Sequence, residues 1–444
     1  MRLLNSATLE FEIFNEESLP EYLILSHTWG SEEVSFQDMR YLQRLKTLPE
    51  AMQQDAIVMF SLGLATGTSR VSKQDIESTA GYRKVVSTAK AAQDKDYKYF
   101  WIDTCCIDKT SSSELQEAIN SMYRWYQEAS LCIVVLEDVR VGGREYIADA
   151  NFGYLVAQTR WITRGWTLQE LIAPRRMHFV DADWQFLTTK SVASGELNAA
   201  TGIPRYVLET GNMGNSSIAQ KMSWAAHRTT TRLEDRAYSL LGIFGVNIPM
   251  LYGEGANAFA RLQEEILRTT PDDSIFYWKL DTDCSATCRG LLAPSPSAFK
   301  DCGNVTAGPP VLVSNTNMGI SLRLRFEGLM SSGKVPHSLG ILNAKDGRLI
   351  CAIMLHVLHR GLPGESGEFG KRCARVSTHA VNTHDIRKIK RYSTIYVSHR
   401  PQIPSRMFTA EAYCYRFHFP NERNRLAIGR TWPPARVTTT ARWC

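Results

Sequence analysis

The run Leu131–Leu136 (LCIVVL) decides the fold. Six consecutive apolar residues without a polar alternate describe a strand buried on both faces, the habit of a parallel sheet covered by helices. Two similar runs precede it. Tyr22–Leu25 (YLIL) leads into SHTWG and stops at Gly30, and Tyr99–Ile102 (YFWI) is closed by Asp103. Helical stretches lie between the runs. Tyr82–Gln93 reads as a helix. Ser111 and Glu114 have capping-box spacing, and Leu115, Ile119, Met122 and Tyr126 then share one stripe. Thr167–Ile172 starts another helix, and Met177–Val180 fits a fourth strand. The order strand, helix, strand, helix, strand, helix, strand predicts an α/β fold with a doubly wound parallel sheet. All strands of such a sheet end on one edge, where ligands bind. Ser26, His27, Asp103 and Glu137 stand at or just past three of those ends.

Beyond this core the pattern changes. Residues 40–80 are less regular and end in the polar stretch TGTSRVSKQDIESTAG, read as a loop or insertion with some helix. Residues 191–270 read as a helical extension, clearest where Phe259, Leu262 and Ile266 form a stripe in NAFARLQEEILR. From residue 271 to 444, segments such as PVLVS, ISLRLRF, LICAIML and STIYVS alternate with Gly/Pro/Asn loops and predict a β-rich region. Its last stretch, RTWPPARVTTTARWC, reads as a poorly ordered end.

A chain that is 44% hydrophobic and 22% charged is neither wholly disordered nor collagen-like. The formal charge of +6 is uneven: residues 271–444 hold 24 basic and 12 acidic residues, so an acidic body precedes a basic tail. That tail could meet nucleic acid, anionic lipid or an acidic partner, but no nucleic-acid motif accompanies it, which argues against nucleic acid. Ten cysteines are too few for a disulfide scaffold, and Glu10 and Glu12 fall where a signal peptide needs its apolar stretch. The reading is reduced thiols and a cytoplasmic location. Ala56–Ser69 is too short for a membrane span, and Ala237–Gly253 is interrupted by Asn247, Pro249 and glycines.

The strongest local feature is RWITRGWTLQELIAP, residues 160–174. Trp166 and Glu170 are four apart, so on a helix an indole would lie beside a carboxylate. Such a pair suits a flat cationic ring; the plainer reading is a core Trp and a helix-surface Glu. SHTWG offers a hydroxyl, an imidazole and backbone amides, fit either for a phosphate or ribose or for a tight turn. In WIDTCCIDK, Asp103 and Asp108 flank two thiols, but adjacent cysteines lack the gap between zinc ligands. Cys284 and Cys288 have no second ligand pair. Both cysteine pairs read as structural thiols, and no metal is expected. A Cys nucleophile with His27 or His178 as base has no known local signature behind it. No G-x-x-x-x-G-K-[ST] element occurs, which argues against a P-loop enzyme.

YLILSHTWG, YFWIDTCCIDK, INSMYRWYQEASLCIVVLEDV and RWITRGWTLQELIAP occur in order and closely resemble the fungal heterokaryon-incompatibility (HET) domain. MSWAAHRTTTRLEDRAYSLLGIFGVNIPMLYGEGANAFARLQEEILR looks like the helical extension that follows it in vegetative-incompatibility proteins, and the resemblance covers about residues 20–280. It implies a HET domain at 20–190, with an insertion at about 40–79 where the chain is longer than the family pattern. HET domains in turn are similar to TIR domains, so a TIR-like sheet is expected. RGWTLQEL resembles the TIR W-C-x-x-E-L element, with Thr167 in place of the Cys. The resemblance implies non-self recognition and regulated cell death, self-association, and an incompatible allelic or non-allelic partner. It also implies that Glu170 is the catalytic carboxylate of an NAD-cleaving site, NAD being substrate and no cofactor being needed. Ser26, His27, Trp29, Gly30, Asp103, Arg164 and Trp166 would then line the substrate. The competing reading is a non-enzymatic death-signalling module, since fold does not imply catalysis.

Overall fold

The computed structural model describes residues 1–49, 73–142, 149–279, 290–316, 319–329, 337–359, 371–382, 392–397, 415–418 and 427–430. The chain divides into two compact units, Met1–Asn215 with His227–Ala258, and Ser216–Ala226 with Phe259–Cys444. Much of the expected insertion at about 40–79 lies outside the described residues, as do Ala56–Ser69, Cys284, Cys288 and the last stretch from residue 431. Helix Phe36–Lys46 runs into that insertion, and helix Lys73–Glu77 lies within it.

The first unit is α/β with a mostly parallel sheet. Its strands are β1 (Arg2–Asn5), β2 (Phe11–Ile13), β3 (Tyr22–His27), β4 (Tyr99–Trp101), β5 (Leu131–Leu136), β6 (Met177–Asp181) and β7 (Phe186–Thr189). The strand order is β2-β1-β4-β3-β5-β6-β7. The four strands expected from the apolar runs, β3 to β6, are the parallel ones. β1, β2 and β7, which strand–helix alternation did not reveal, add antiparallel edges. They escaped because hairpin partners at an edge need no long apolar run.

Every residue of β3 and β5 is buried. Helix Ser112–Glu128 uses Ser111 as its N-cap, as the capping spacing predicts, and buries Ala118, Ile119, Met122, Trp125 and Tyr126. Trp101 of β4 packs edge-on against Trp125 and Tyr126, with centroids 5.7 and 5.9 Å away. Phe179 of β6 meets Phe152 and Trp161 in the same edge-on fashion. Such pairs add to what their buried area contributes.

The second unit is β-rich, as expected. Helices Ile218–Ala225 and Asn257–Thr269 precede 3-10 turns at Asp273–Phe276 and Pro296–Phe299. Two strands, Tyr415–His418 and Ala427–Arg430, pair only with each other, and seven form one sheet: β8 (Val305–Thr306), β9 (Val313–Thr316), β10 (Gly319–Leu329), β11 (His337–Asp346), β12 (Leu349–His359), β13 (Lys371–Asn382) and β14 (Tyr392–Val397). Their order is β8-β11-β12-β13-β14-β10-β9, and β10 also pairs with β11, so five strands close on themselves. All pairings are antiparallel except β13 with β14. No helix among the described residues is long and apolar enough to cross a membrane.

β11 slips register against β12 between Ile341 and Lys345, which leaves backbone amides without ladder partners. Asp273 accepts them, from Asn343 N at 2.5 Å and Ala344 N at 3.0 Å. Burial pushes its carboxyl up to about 6 against the pull of those amides. Asp273→Ala orphans two amides at about 1–3 kcal/mol each. It is expected to lower the urea midpoint of the full chain, with exchange protection at Asn343 and Ala344 lost first.

Candidate functional site

β3, the first parallel strand in sequence, lies between the second, β4, and the third, β5, so the strand order reverses there. That reversal opens a crevice at the carboxyl ends of the strands. Ser26 and His27 close β3, Asp103 follows β4 and Glu137 follows β5. Ser26 and His27 are consecutive and so project to opposite faces of the sheet. The structure accordingly sorts the expected residues into two groups.

The first group centres on Glu170. Its Oε2 accepts a 2.5 Å hydrogen bond from Ser26 Oγ, which in turn accepts from Trp161 Nε1 at 2.8 Å. Trp161 and Ser26 are 0% exposed and Glu170 only 7%. Burial pushes the Glu170 carboxyl up to about 8; the Ser26 hydrogen bond and the charges of Arg164 and Arg228 oppose this, and Asp103 adds to it. The indole in this network is that of Trp161, while Trp166 hydrogen-bonds Asp235. Trp166 stands at the helix N-cap, before the turn that carries Glu170.

The helix Thr167–Ile172 has only six residues. A helix so short is unstable alone, and both its ends are held. On the N-terminal side Arg228 Nη1 donates to Arg164 O and Thr167 Oγ1, each at 2.9 Å. Gly165 N donates to Thr229 O, and Thr229 N to Thr163 O. A Cβ on Gly165 would stand 2.4 Å from Thr230 Cγ2, so any other residue would have to push that side chain aside. At the C-terminal end the buried Lys190 ammonium donates to the carbonyls of Leu171, Ile172 and Pro174. Burial draws Lys190 down to about 8 and the Arg228 guanidinium down to about 9, Glu170 opposing the latter shift. Arg228 therefore still carries its charge at neutral pH.

The second group centres on Asp103. Its Oδ1 lies 3.1 Å from His27 Nε2, and its Oδ2 accepts from Trp29 Nε1 at 2.8 Å. Burial would raise the Asp103 carboxyl, but His27, the Lys109 charge and Trp29 outweigh it and hold the group at about 2. Lys109 Nζ stands 3.6 Å from the centre of the Trp29 ring. Gly30 N donates to Glu33 Oε1, and Thr28 Oγ1 to Glu137 Oε2. Lys84 enters from helix Ala80–Gln93 and touches His27, Glu33 and Glu137.

Arg228, Lys190 and Lys84 escaped the sequence reading. Arg228 lies far along the chain in HRTTTR. Lys84 did leave a signal, since it falls on the stripe of Gly81, Val85, Thr88 and Ala92, the buried face of its helix. A lysine on a buried stripe calls for a partner. Cys105 and Cys106 are buried, and the Cys105 thiol is pushed well up by its hydrogen bond to Cys106 and by burial, which suits packing rather than nucleophilic chemistry. His178 packs its ring on Phe186.

Residues 22–151 match the family model described as Heterokaryon incompatibility protein (HET), and residues 257–290 match a domain of unknown function, DUF8212. Over 251 residues the chain is 39% identical to the vegetative incompatibility protein HET-E-1 of Podospora anserina, which is 56% of this chain and 16% of that protein. No solved structure matches. The HET match ends before Trp161, Glu170 and Arg228, so the Glu170 group extends beyond it, whereas the Asp103 group lies within it.

Two outcomes test this geometry. An acid raised from 4.5 to about 8 on folding keeps its proton in the folded chain and loses it in the unfolded one, so it costs stability as pH rises through that window. Glu170→Gln removes the penalty. Its stability relative to wild type should rise between the two ends of the window by on the order of a few kcal/mol in urea unfolding; a flat difference would mean that Glu170 is ionised in the folded chain. Gly81 packs its Cα against the backbone of Glu32–Val34, and a Cβ there would come within 2.4 Å of Glu32 O. Gly81→Ala should cost about 1–3 kcal/mol, read from the same unfolding curves.

Proposed function

We propose that this chain, which carries a HET domain, is an effector of fungal heterokaryon incompatibility that brings about regulated cell death by cleaving the nicotinamide–ribose bond of NAD through Glu170. The observation behind this reading is the Ser26–Glu170 hydrogen bond at the strand-order reversal. A carboxylate at that position is buried, oriented by a hydroxyl and flanked by the charges of Arg164 and Arg228.

The chemistry matches the site. Nicotinamide leaves NAD as a neutral molecule because its ring nitrogen is already cationic, so no strong acid is required. The ribose carbon becomes oxocarbenium-like, and a nearby carboxylate stabilises it. Water then adds, giving ADP-ribose and releasing one proton. The cationic ring of the substrate favours ionised Glu170 on binding, which offsets the upward push of burial. Ser26 donates to the carboxylate and fixes its rotamer. The resemblance of β3 and of Thr167–Ile172 to their TIR counterparts supports the same roles. His27, Trp29, Gly30 and Asp103, gathered on the other side of β3, would form a wall for the ribose and phosphates. Self-association and an incompatible partner supply the trigger.

The second reading is a non-enzymatic oligomerisation module. The 7% exposure of Glu170 favours it, since a carboxylate so enclosed also serves as a structural hydrogen-bond acceptor.

Induced expression in fungal cells, with Glu170→Ala at matched protein level, separates the two. The enzyme reading expects NAD to fall before death with wild type and neither event with the variant. Death without NAD loss, or equal killing by the variant, would transfer the role to the interaction module.

A further inference from the structure

Lys84 Nζ lies 2.8 Å from His27 Nδ1, 2.6 Å from Glu33 Oε1 and 2.6 Å from Glu137 Oε1, with Thr28 O at 3.3 Å. These acceptors come from the end of β3, the turn after it and the end of β5. The Lys84 side chain is 10% exposed, that of His27 2% and that of Glu33 15%. Without the ammonium, one imidazole nitrogen and two carboxylate oxygens would face one another, all within 4.8 Å. That is a donor set for a divalent transition metal.

An ammonium has only hydrogens to offer. His27 Nδ1 must therefore present its lone pair to Lys84, and the ring proton belongs on Nε2, 3.1 Å from Asp103 Oδ1. The other charged groups around the ring agree. Asp103 stands on the Nε2 side, where it also takes the Trp29 N–H and feels the Lys109 charge. On the Nδ1 side Glu33 Oε1, at 3.8 Å, is engaged by Lys84 and by Gly30 N. Glu137 is likewise shared between Lys84 and Thr28.

We propose that Lys84 is a resident cation: its ammonium fills a His27–Glu33–Glu137 site that would otherwise take a divalent metal, and it fixes His27 as the tautomer that donates from Nε2 to Asp103. Lys84 is thus a positioning residue. Its arrangement stands whether or not Glu170 performs chemistry, because no contact of Lys84 involves that carboxylate. The reach of Lys84 depends on Gly81, one turn earlier, whose N–H donates to Glu32 O and draws the helix onto the turn that carries Glu33.

The test uses the full chain with Co2+ as probe and 15N-histidine NMR as a second readout, His27 being assigned with His27→Gln. Wild type and Lys84→Arg are expected to show a protonated Nε2 at His27 and no Co2+ absorption bands from this site. Lys84→Ala should gain about one bound Co2+ per chain, and His27→Ala added to it should abolish the gain. In metal-free Lys84→Ala the His27 proton should redistribute between the two nitrogens. Three results would overturn the proposal: wild type binding Co2+ through His27, a folded Lys84→Ala that binds none, or a wild-type His27 protonated on Nδ1. Should Lys84→Ala not fold, the wild-type tautomer decides alone.

Discussion

β3 and β5 are buried along their whole length, side by side, and the rest of the first unit follows from that constraint. A strand covered on both faces has no room for an unpaired polar group, because each would cost a lost hydrogen bond or more. Polar side chains are therefore confined to the strand ends and must find partners there. Ser26 is fully enclosed and finds Trp161 and Glu170. His27 finds Asp103 and Lys84. The crevice is the consequence of a sheet too apolar to hold these groups elsewhere.

The same reasoning accounts for the buried charges. Lys190, Arg228 and Lys84 each lie where an unpaired ion would be costly. Lys190 is satisfied by three carbonyls at one end of the Thr167–Ile172 helix, and Arg228 by a carbonyl and a hydroxyl at the other. These two cations do for a helix of six residues what its own hydrogen bonds cannot. The segment His227–Ala258 is accordingly part of the first compact unit, although it reads in sequence as part of a later helical extension. The HET match at residues 22–151 covers only part of the assembly that holds Glu170.

The parallel core was legible because double burial writes itself as continuous apolar runs, and LCIVVL admits no other reading as a strand. Ser111 and Glu114 announced their helix because a cap is a local event. Glu170 stood out through RGWTLQEL, and Ser26 through its place at a strand end. The contacts of Trp166 with Asp235 and of Trp161 with Ser26 had no signal in local spacing.

What the amino-acid sequence determined by itself was what depends on neighbours along the chain: the buried strands, their alternation with helices, the capped helix starts and the motifs of a HET domain. Tertiary structure decided the rest. The antiparallel flanking strands β1, β2 and β7 exist only because a sheet is present to extend. Lys84 meets His27, and Arg228 holds the Glu170 helix, across 57 and 61 residues of chain. Such meetings are set by the closure of the fold around charges that cannot remain unpaired, and no local spacing encodes them.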